Sequence, residues 1–286
     1  MNKILSFEQE FTRRQPNRFG ILRLIREALE VTETQWEDLT KVNLIRVADH
    51  VKKRVSPNSA KTYFAILCAF LHNYEDEGIV PCRHPEEVMK SKKVPQQGIY
   101  LTEEEIKRIE NYYDELMKKK CHQAEKDCLT LFLIETFTGA RISDCRNFTI
   151  ENLKEGKLTY TSVKTSILTE VPEHRRLSQL IARIPSVHYS STTVNRVLKR
   201  VAKKVGITES VTIFTKGKQQ TRPKYEFVSS HVGRKSFVTN LARRGVDIYT
   251  ISAYAGHSST LQTDHYIVRD TVETPKEALS FFNDGE

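Results

Sequence analysis

The stretch HVGRKSFVTNLARRGVDIYTISAYAGHSSTLQTDHY, residues 231–266, decides how this chain is read. Its first part, entered through Ser229 and Ser230, is an amphipathic helical pattern that stops on Gly245. DIYTISAYAG reads as a second, short helix closing on Gly256. His231 and Arg234 lie three residues apart, so a helix sets both on one face. Gly256-His257 comes one helix later, and Tyr266 stands nine residues beyond His257. Taken singly each string is weak, since helices pair side chains for many reasons and Tyr266 is one tyrosine among eleven.

Working towards the N-terminus, two more strings carry polar chemistry: TGAR (138–141) and VKT (163–165). AEKDCLTLFLIETFTG is a strongly apolar helix running into Gly139, and RISDCRNFT is a short helical piece after it. KLTYTSVKT and LTEVPEH alternate with β-type residues and predict a hairpin with Lys164 near its turn. LTEEEIKRIENYYDELMKK opens with Thr102 and Glu105, a capping-box signature, and TTVNRVLKRVAKKVG is an amphipathic helix closing on Gly206. Beyond Tyr266, TPKEALSFFN (274–283) starts with Pro275 and ends with Leu279, Phe281 and Phe282, as a final helix would.

The first ninety residues read as almost entirely helical, with RFGILRLIREALEV (18–31) as the first clear helix. LTKVNLIRVADHVKKRV and SPNSAKTYFAILCAFLHNYEDEG follow, the latter started by Ser56-Pro57 and ended by Gly78. MKSKKVPQQG (89–98) is basic, lacks apolar periodicity and reads as a linker. The expected plan is a helical domain over 1–90, a linker over 91–99 and a second domain over 100–286. Lys52, Lys53, Arg54 and Lys61 at helix junctions, with Lys92 and Lys93 in the linker, suit contacts to phosphates.

Composition narrows the partner. The 286 residues carry a formal charge of +9 and a pI near 9.2, which points first to nucleic acid. Five cysteines, an odd number without a C-x-x-C pair, indicate free thiols in a reducing compartment. The start MNKILSFEQEFTRR lacks the apolar run of a signal peptide, and no stretch reaches the length of a membrane span, so a cytoplasmic protein is expected. No acidic cluster with ligand spacing accompanies the histidines, which argues against a metal-dependent nuclease.

Together, TGAR, VKT, HVGR, GHSS and DHY resemble the tyrosine recombinase (phage integrase) family from about Leu101 to Arg269. SPNSAKTYFAILCAF also looks like a helix of that family's core-binding domain. The resemblance implies a mostly α protein. A helical core-binding DNA clamp would precede a mainly α catalytic domain with a small β-hairpin or sheet, the two forming a C-shaped clamp on duplex DNA. It implies Tyr266 as nucleophile, with Arg141, Lys164, His231, Arg234 and His257 as the other catalytic residues.

The chemistry suits those residue types. Guanidinium groups present a permanently charged fork to phosphate oxygens. A tyrosine needs a base, for which His231 is placed, and the leaving 5′-oxygen needs an acid, for which Lys164 is placed. Asp144, three after Arg141, is expected to orient Arg141 or His257. The product would be a 3′-phosphotyrosyl bond that conserves the ester's energy, so no cofactor, metal or ATP is implied. A homotetramer in the synapse, linked by the C-terminal helix, is the implied assembly. Tyr249 and Tyr254 are expected to pack, His265 to point elsewhere, and Cys145 to be a packing thiol. TGAR has Ala140 and GHSS is preceded by Ala255 where the family more often has larger residues. Only about twenty residues precede the first clear helix, so the arm-binding domain of some integrases is not expected. Two rivals stay open: a type IB topoisomerase acting as a monomer, and a DNA-binding accessory protein without catalysis.

Overall fold

Residues 3–72, 82–94, 97–215 and 217–268 are described by the structure, a computed structural model of the chain. They fall into two compact units, Met1–Gln96 with Phe214–Gln219, and Gln97–Ile213 with Gln220–Glu286. The whole is mostly helical with small antiparallel sheets, as the sequence predicts.

The first unit is built from α1 (Lys3–Arg14), α2 (Phe19–Val31), α3 (Lys41–Arg54) and α4 (Pro57–His72). Ile21, Leu22, Ile25, Ala28 and Leu29 of α2 face Leu44, Val47, Ala48 and Val51 of α3 and Phe64, Leu67 and Leu71 of α4 in one core. Most apolar residues at helical spacing in these segments are the buried ones, but Val42 and Ile45 of α3, read on the same stripe, are 60 % and 42 % exposed. Helix α1 lies in the stretch expected to be almost entirely helical, ahead of the first clear helix read at residue 18. Its sequence is polar, and its anchor is Phe11, 2 % exposed and edge-on to Phe70 at 5.0 Å. Gly78, expected to end α4, lies outside the described residues. The expected linker is held at its first half. Asn58 accepts the Val94 N–H at 2.9 Å and donates to the Val94 carbonyl at 2.8 Å, which ties that segment to α4.

The second unit comprises α5 (Glu103–Met117), α6 (Gln123–Thr138), α7 (Ile142–Cys145), β1 (Leu153–Lys154), β2 (Lys157–Thr161), β3 (Leu168–Pro172), α8 (Arg175–Ile181) and α9 (Ser191–Lys204). It continues through α10 (Ser230–Arg243), α11 (Ile248–Ala255) and α12 (Thr260–Tyr266). A separate two-stranded sheet, β4 (Ser210–Thr215) with β5 (Lys218–Pro223), is absent from the expected plan. So are β1, which extends the expected hairpin to three strands, and α8. Helix α6 is the axis of the unit, and α5, α7, α8, α9 and α10 all pack on it. That surround explains why it reads as apolar on every side.

This interior also buries polar and charged groups, among them Glu105, Glu125, Lys126, Asp127 and Lys224. The capping box is present as read, Thr102 accepting from the Glu105 N–H and Glu105 from the Thr102 N–H. Glu105 also takes the buried Lys224 ammonium at 2.7 Å, a second use invisible to a local motif. The β2–β3 ladder pairs Leu158 with Val171 and Tyr160 with Thr169, all four buried. Lys157, Thr159, Thr161, Leu168 and Glu170 alternate to the outside or are only half-covered.

Candidate active site

The site begins at the end of α6. Gly139 adopts a left-handed conformation (φ 68°), and a Cβ there would stand 2.4 Å from the Phe237 ring. Glycine is thus required both by backbone and by space. The Thr138 hydroxyl accepts the Ala140 N–H at 3.1 Å and closes the turn. The turn hands the chain to Arg141, the residue before α7. The first arginine of the site is therefore set by the local TGAR chemistry itself.

Only a long ion pair, 4.0 Å between the closest charged atoms, joins the Asp144 carboxylate to Arg141. The same carboxylate accepts from the Ser162 hydroxyl at 3.1 Å and the Val163 N–H at 3.0 Å. Ser162 in turn accepts from the Arg141 guanidinium at 3.1 Å. The expectation that Asp144 orients Arg141 or His257 is thus refined. Asp144 ties down the turn between β2 and β3, and reaches Arg141 through Ser162. That turn carries Lys164, which is exposed. Asp144 is 2 % exposed, so its carboxylate spends its acceptor capacity on these donors rather than on solvent.

Helix α10 supplies the next two residues. Arg234 is fully buried and donates to the Gly139 carbonyl at 2.6 Å, but its Nε and second terminal nitrogen have no partner. Burial lowers its pKa from the ordinary guanidinium value. A buried cation with two unsatisfied nitrogens is costly unless an anion completes it. Beside it lies Glu135, 1 % exposed, which accepts from the Ile142 N–H and leaves its other oxygen unpartnered. Burial pushes this carboxyl well above the usual carboxylate range, against the pull of the Arg234 charge. His231, one helical turn before Arg234, is solvent-exposed. Surrounding protein and the cations Lys235, Arg234, Arg141 and Lys164 hold its pKa below the ordinary histidine value.

Gly256 closes α11 at φ 61° and delivers His257, which is 7 % exposed. Its Nδ1 is 2.8 Å from the Thr263 hydroxyl, while Nε2 is buried without a partner. Burial, followed by the charges of Arg234, Arg141 and His231, pushes the pKa of His257 down to about 3. The unfolded ring would titrate near 6.5. Between those values the unfolded chain binds a proton that the folded chain does not, so stability falls as pH drops from about 6.5 towards 3. This group adds a slope of about 1.4 kcal/mol per pH unit in that window. Urea unfolding at pH 7 and pH 4 should show His257→Gln losing less stability on acidification than the natural chain. Equal losses would contradict the assignment of a buried neutral imidazole.

Tyr266 ends α12 and places its ring in the middle of these groups. Ring centroids lie 5.1 Å from His231 and 4.7 Å from His257, and the Arg234 guanidinium carbon is 5.2 Å from the Tyr266 centroid. Thr239 of α10 donates to the Tyr266 carbonyl at 3.3 Å and accepts the Val268 N–H at 3.1 Å. The helix bearing His231 and Arg234 therefore also clamps the backbone around Tyr266. Sequence reading misses Thr239, Thr263, Ser162 and Glu135. Each is small or buried, and its partner is distant in sequence or fixed only by a turn.

Tyr254 is half-buried against the core, but Tyr249 is 75 % exposed, a correction to its expected packing role. Asp247 caps α11 and turns Tyr249, in its first turn, outward. His265 is exposed and Cys145 fully buried. Lys52, Lys53, Arg54, Lys61, Lys92 and Lys93 are all exposed in the first unit, with Lys52 near Asp49 and Arg54 at 2.8 Å from Glu27. Segment 274–283 lies outside the described residues. Among the described residues no cluster of His, Cys, Asp and Glu has the makings of a metal site, and no helix is long and apolar enough to cross a membrane.

Comparison with known proteins places this geometry. The profile of the Phage integrase family matches residues 100–272. The chain is 26 % identical over 253 residues to the tyrosine recombinase XerA of Pyrococcus furiosus, covering 81 % of this chain and 78 % of that one. Among solved structures, a lambda integrase (75–356) dimer bound to a COC′ core site superposes with a TM-score of 0.66 at 17 % identity, over 92 % of this chain and 91 % of that one. A lambda integrase tetramer bound to a Holliday junction gives 0.68 at 16 % identity, over 94 % and 79 %.

Proposed function

This chain belongs to the phage integrase family, and from that premise we propose that it is a site-specific recombinase that cuts and rejoins DNA through a 3′-phosphotyrosyl bond. The observation that carries the reading is the Tyr266 ring held between His231, His257 and the Arg234 guanidinium. A phenol beside two imidazoles and a buried, incompletely satisfied cation is arranged to attack a phosphate diester.

The Tyr266 oxygen forms a bond to phosphorus and gives its proton to neutral His231. The bond from phosphorus to the 5′-oxygen breaks, and Lys164 protonates that oxygen as it leaves. Arg141, Arg234 and the N–H of neutral His257 bind the non-bridging oxygens, where negative charge concentrates. The reverse attack by another strand's 5′-hydroxyl returns Tyr266 and seals the DNA, so ester energy is conserved and no cofactor takes part. The exposed lysines and arginines of the first unit contact the phosphate backbone. The protein acts in the cytoplasm on duplex DNA sites borne by mobile elements, integrating, excising or inverting them. Two protomers occupy each site and four the synapse, linked by the C-terminal segment with Phe281 and Phe282.

A nicked suicide substrate, from which the short 5′-hydroxyl strand diffuses away, tests the central claim. A protein–DNA adduct that survives denaturation and maps to Tyr266 is expected. No adduct on any cloned site selected from random DNA sinks the reading and favours the accessory-protein rival. Plasmid relaxation without recombination sites would favour the topoisomerase.

Lys164 has its own test. Lys164→Ala should slow cleavage about 10²- to 10⁴-fold on ordinary DNA. A substrate with sulfur in place of the bridging 5′-oxygen leaves as a thiolate and needs no proton. On it, the variant should approach the natural rate. Equal slowing on both substrates would remove Lys164 as the acid.

A further inference from the structure

We propose that Thr263 is a positioning residue whose hydroxyl sets the tautomer of His257, so that the ring presents an N–H and not a lone pair to the scissile phosphate. The proposal rests on the reading of the site as a phosphate-diester centre. Thr263 is fully buried, and its hydroxyl oxygen is 2.8 Å from His257 Nδ1. The other ring nitrogen, Nε2, is also buried and has no partner in the chain. It is thus the nitrogen left for an outside group.

Two hydrogen arrangements fit that 2.8 Å contact. In the first, Nδ1–H donates to Thr263, and Nε2 turns a lone pair towards the phosphate. A lone pair against a non-bridging oxygen is repulsive. In the second, the threonine O–H donates to Nδ1, and a neutral ring then must carry its one hydrogen on Nε2. The structure favours the second through what the hydroxyl does not do. Thr136 and Thr138, buried in α6, give their hydrogens to carbonyls four residues back, at 2.7 Å each. The Thr263 hydroxyl makes no such bond to Ser259, and among the described residues its partner is His257 alone. A fully buried O–H must find an acceptor, and Nδ1 is the one within reach.

The placement also couples two parts of the reaction. Thr263 stands three residues before Tyr266 on α12, so docking of the nucleophile's helix and selection of the His257 tautomer are one event. Burial and nearby cations keep the ring neutral, which makes the tautomer a real choice at physiological pH.

The test uses the full chain, nitrogen-15 NMR of its histidines, and single-turnover cleavage of the suicide substrate at saturating DNA. In the natural chain His257 should show hydrogen on Nε2. Thr263→Val keeps the shape, loses the donor, and should shift the ring towards the other tautomer. It should slow cleavage about 10- to 100-fold with DNA affinity changed less than about threefold. Thr263→Ser should restore both the tautomer and most of the rate. Hydrogen on Nδ1 in the natural chain overturns the proposal, as does a Val variant that cleaves at the natural rate or a Ser variant as slow as Val. If Val does not fold, the natural chain's tautomer and the Ser variant still decide. Absence of any adduct from the natural chain instead counts against the proposed function, which separates the two failures.

Discussion

Tyr266→Phe should bind DNA within about threefold of the natural affinity, unfold within about 2 °C of the natural midpoint, and form no covalent adduct. The substitution removes one hydroxyl. The ring contacts with His231, His257 and Arg234 remain, and the Thr239 clamp holds the Tyr266 backbone carbonyl, not its side chain. Loss of a nucleophile without substitute costs about 10⁴-fold or more, which in a gel assay is disappearance of the adduct band. Tyr249 is the most exposed competitor, at 75 %, but sits in the first turn of α11 on the outer side. An adduct that persists in Tyr266→Phe, or maps by peptide sequencing to Tyr249 or Tyr254, would end the central claim.

Arg234→Met should move activity and stability in opposite directions. Arg234 is 0 % exposed and makes one hydrogen bond, to Gly139, while two of its nitrogens are unpartnered. Such a cation is expensive to fold around, and its benefit appears when a phosphate completes its shell. Cleavage should fall by about 10³-fold or more, the loss of a preorganised charge at the reacting phosphate. Unfolding free energy should rise by about 1–4 kcal/mol, because an apolar chain of similar length avoids the desolvation of a buried charge. Burial also pushes the carboxyl of Glu135, beside it, well above the usual carboxylate range. Calorimetry and single-turnover cleavage on the same preparation decide the matter. A variant that is both inactive and several kcal/mol less stable would show that Arg234 holds the fold, and that its open nitrogens are no ligand site.

Much of the site is legible in the sequence because its strings sit on elements whose geometry is local. A helix necessarily puts His231 and Arg234 on one face, and a glycine-closed turn leading into a short helix sends Arg141 out of α6. Spacing alone makes Asp144 a partner of Arg141, whereas its closer partners are Ser162 and the Val163 N–H. That difference turns on where a hairpin tip folds back, which no local rule supplies. The anchoring of helix α1 escapes a sequence reading, because its contact, Phe11 with Phe70, joins positions far apart in the chain. The strands β4 and β5 escape it too, since their outer faces are polar or only half-covered and give no clean alternation.

The amino-acid sequence by itself determined the helical class, the family resemblance and the identity of the six polar side chains of the candidate site. Periodicity, turn residues and fixed spacings are properties of the chain's nearest neighbours, and these features need nothing more. Tertiary structure alone decided how those side chains are held and in what state. It set the relay from Asp144 through Ser162 to Arg141, and the Thr239 clamp on Tyr266. It buried Arg234 with open nitrogens, and it gave His257 a threonine partner from the nucleophile's own helix. Hydrogen-bond partners, burial and the charge state of a buried ring depend on atoms brought together from distant positions, and only packing specifies which atoms those are.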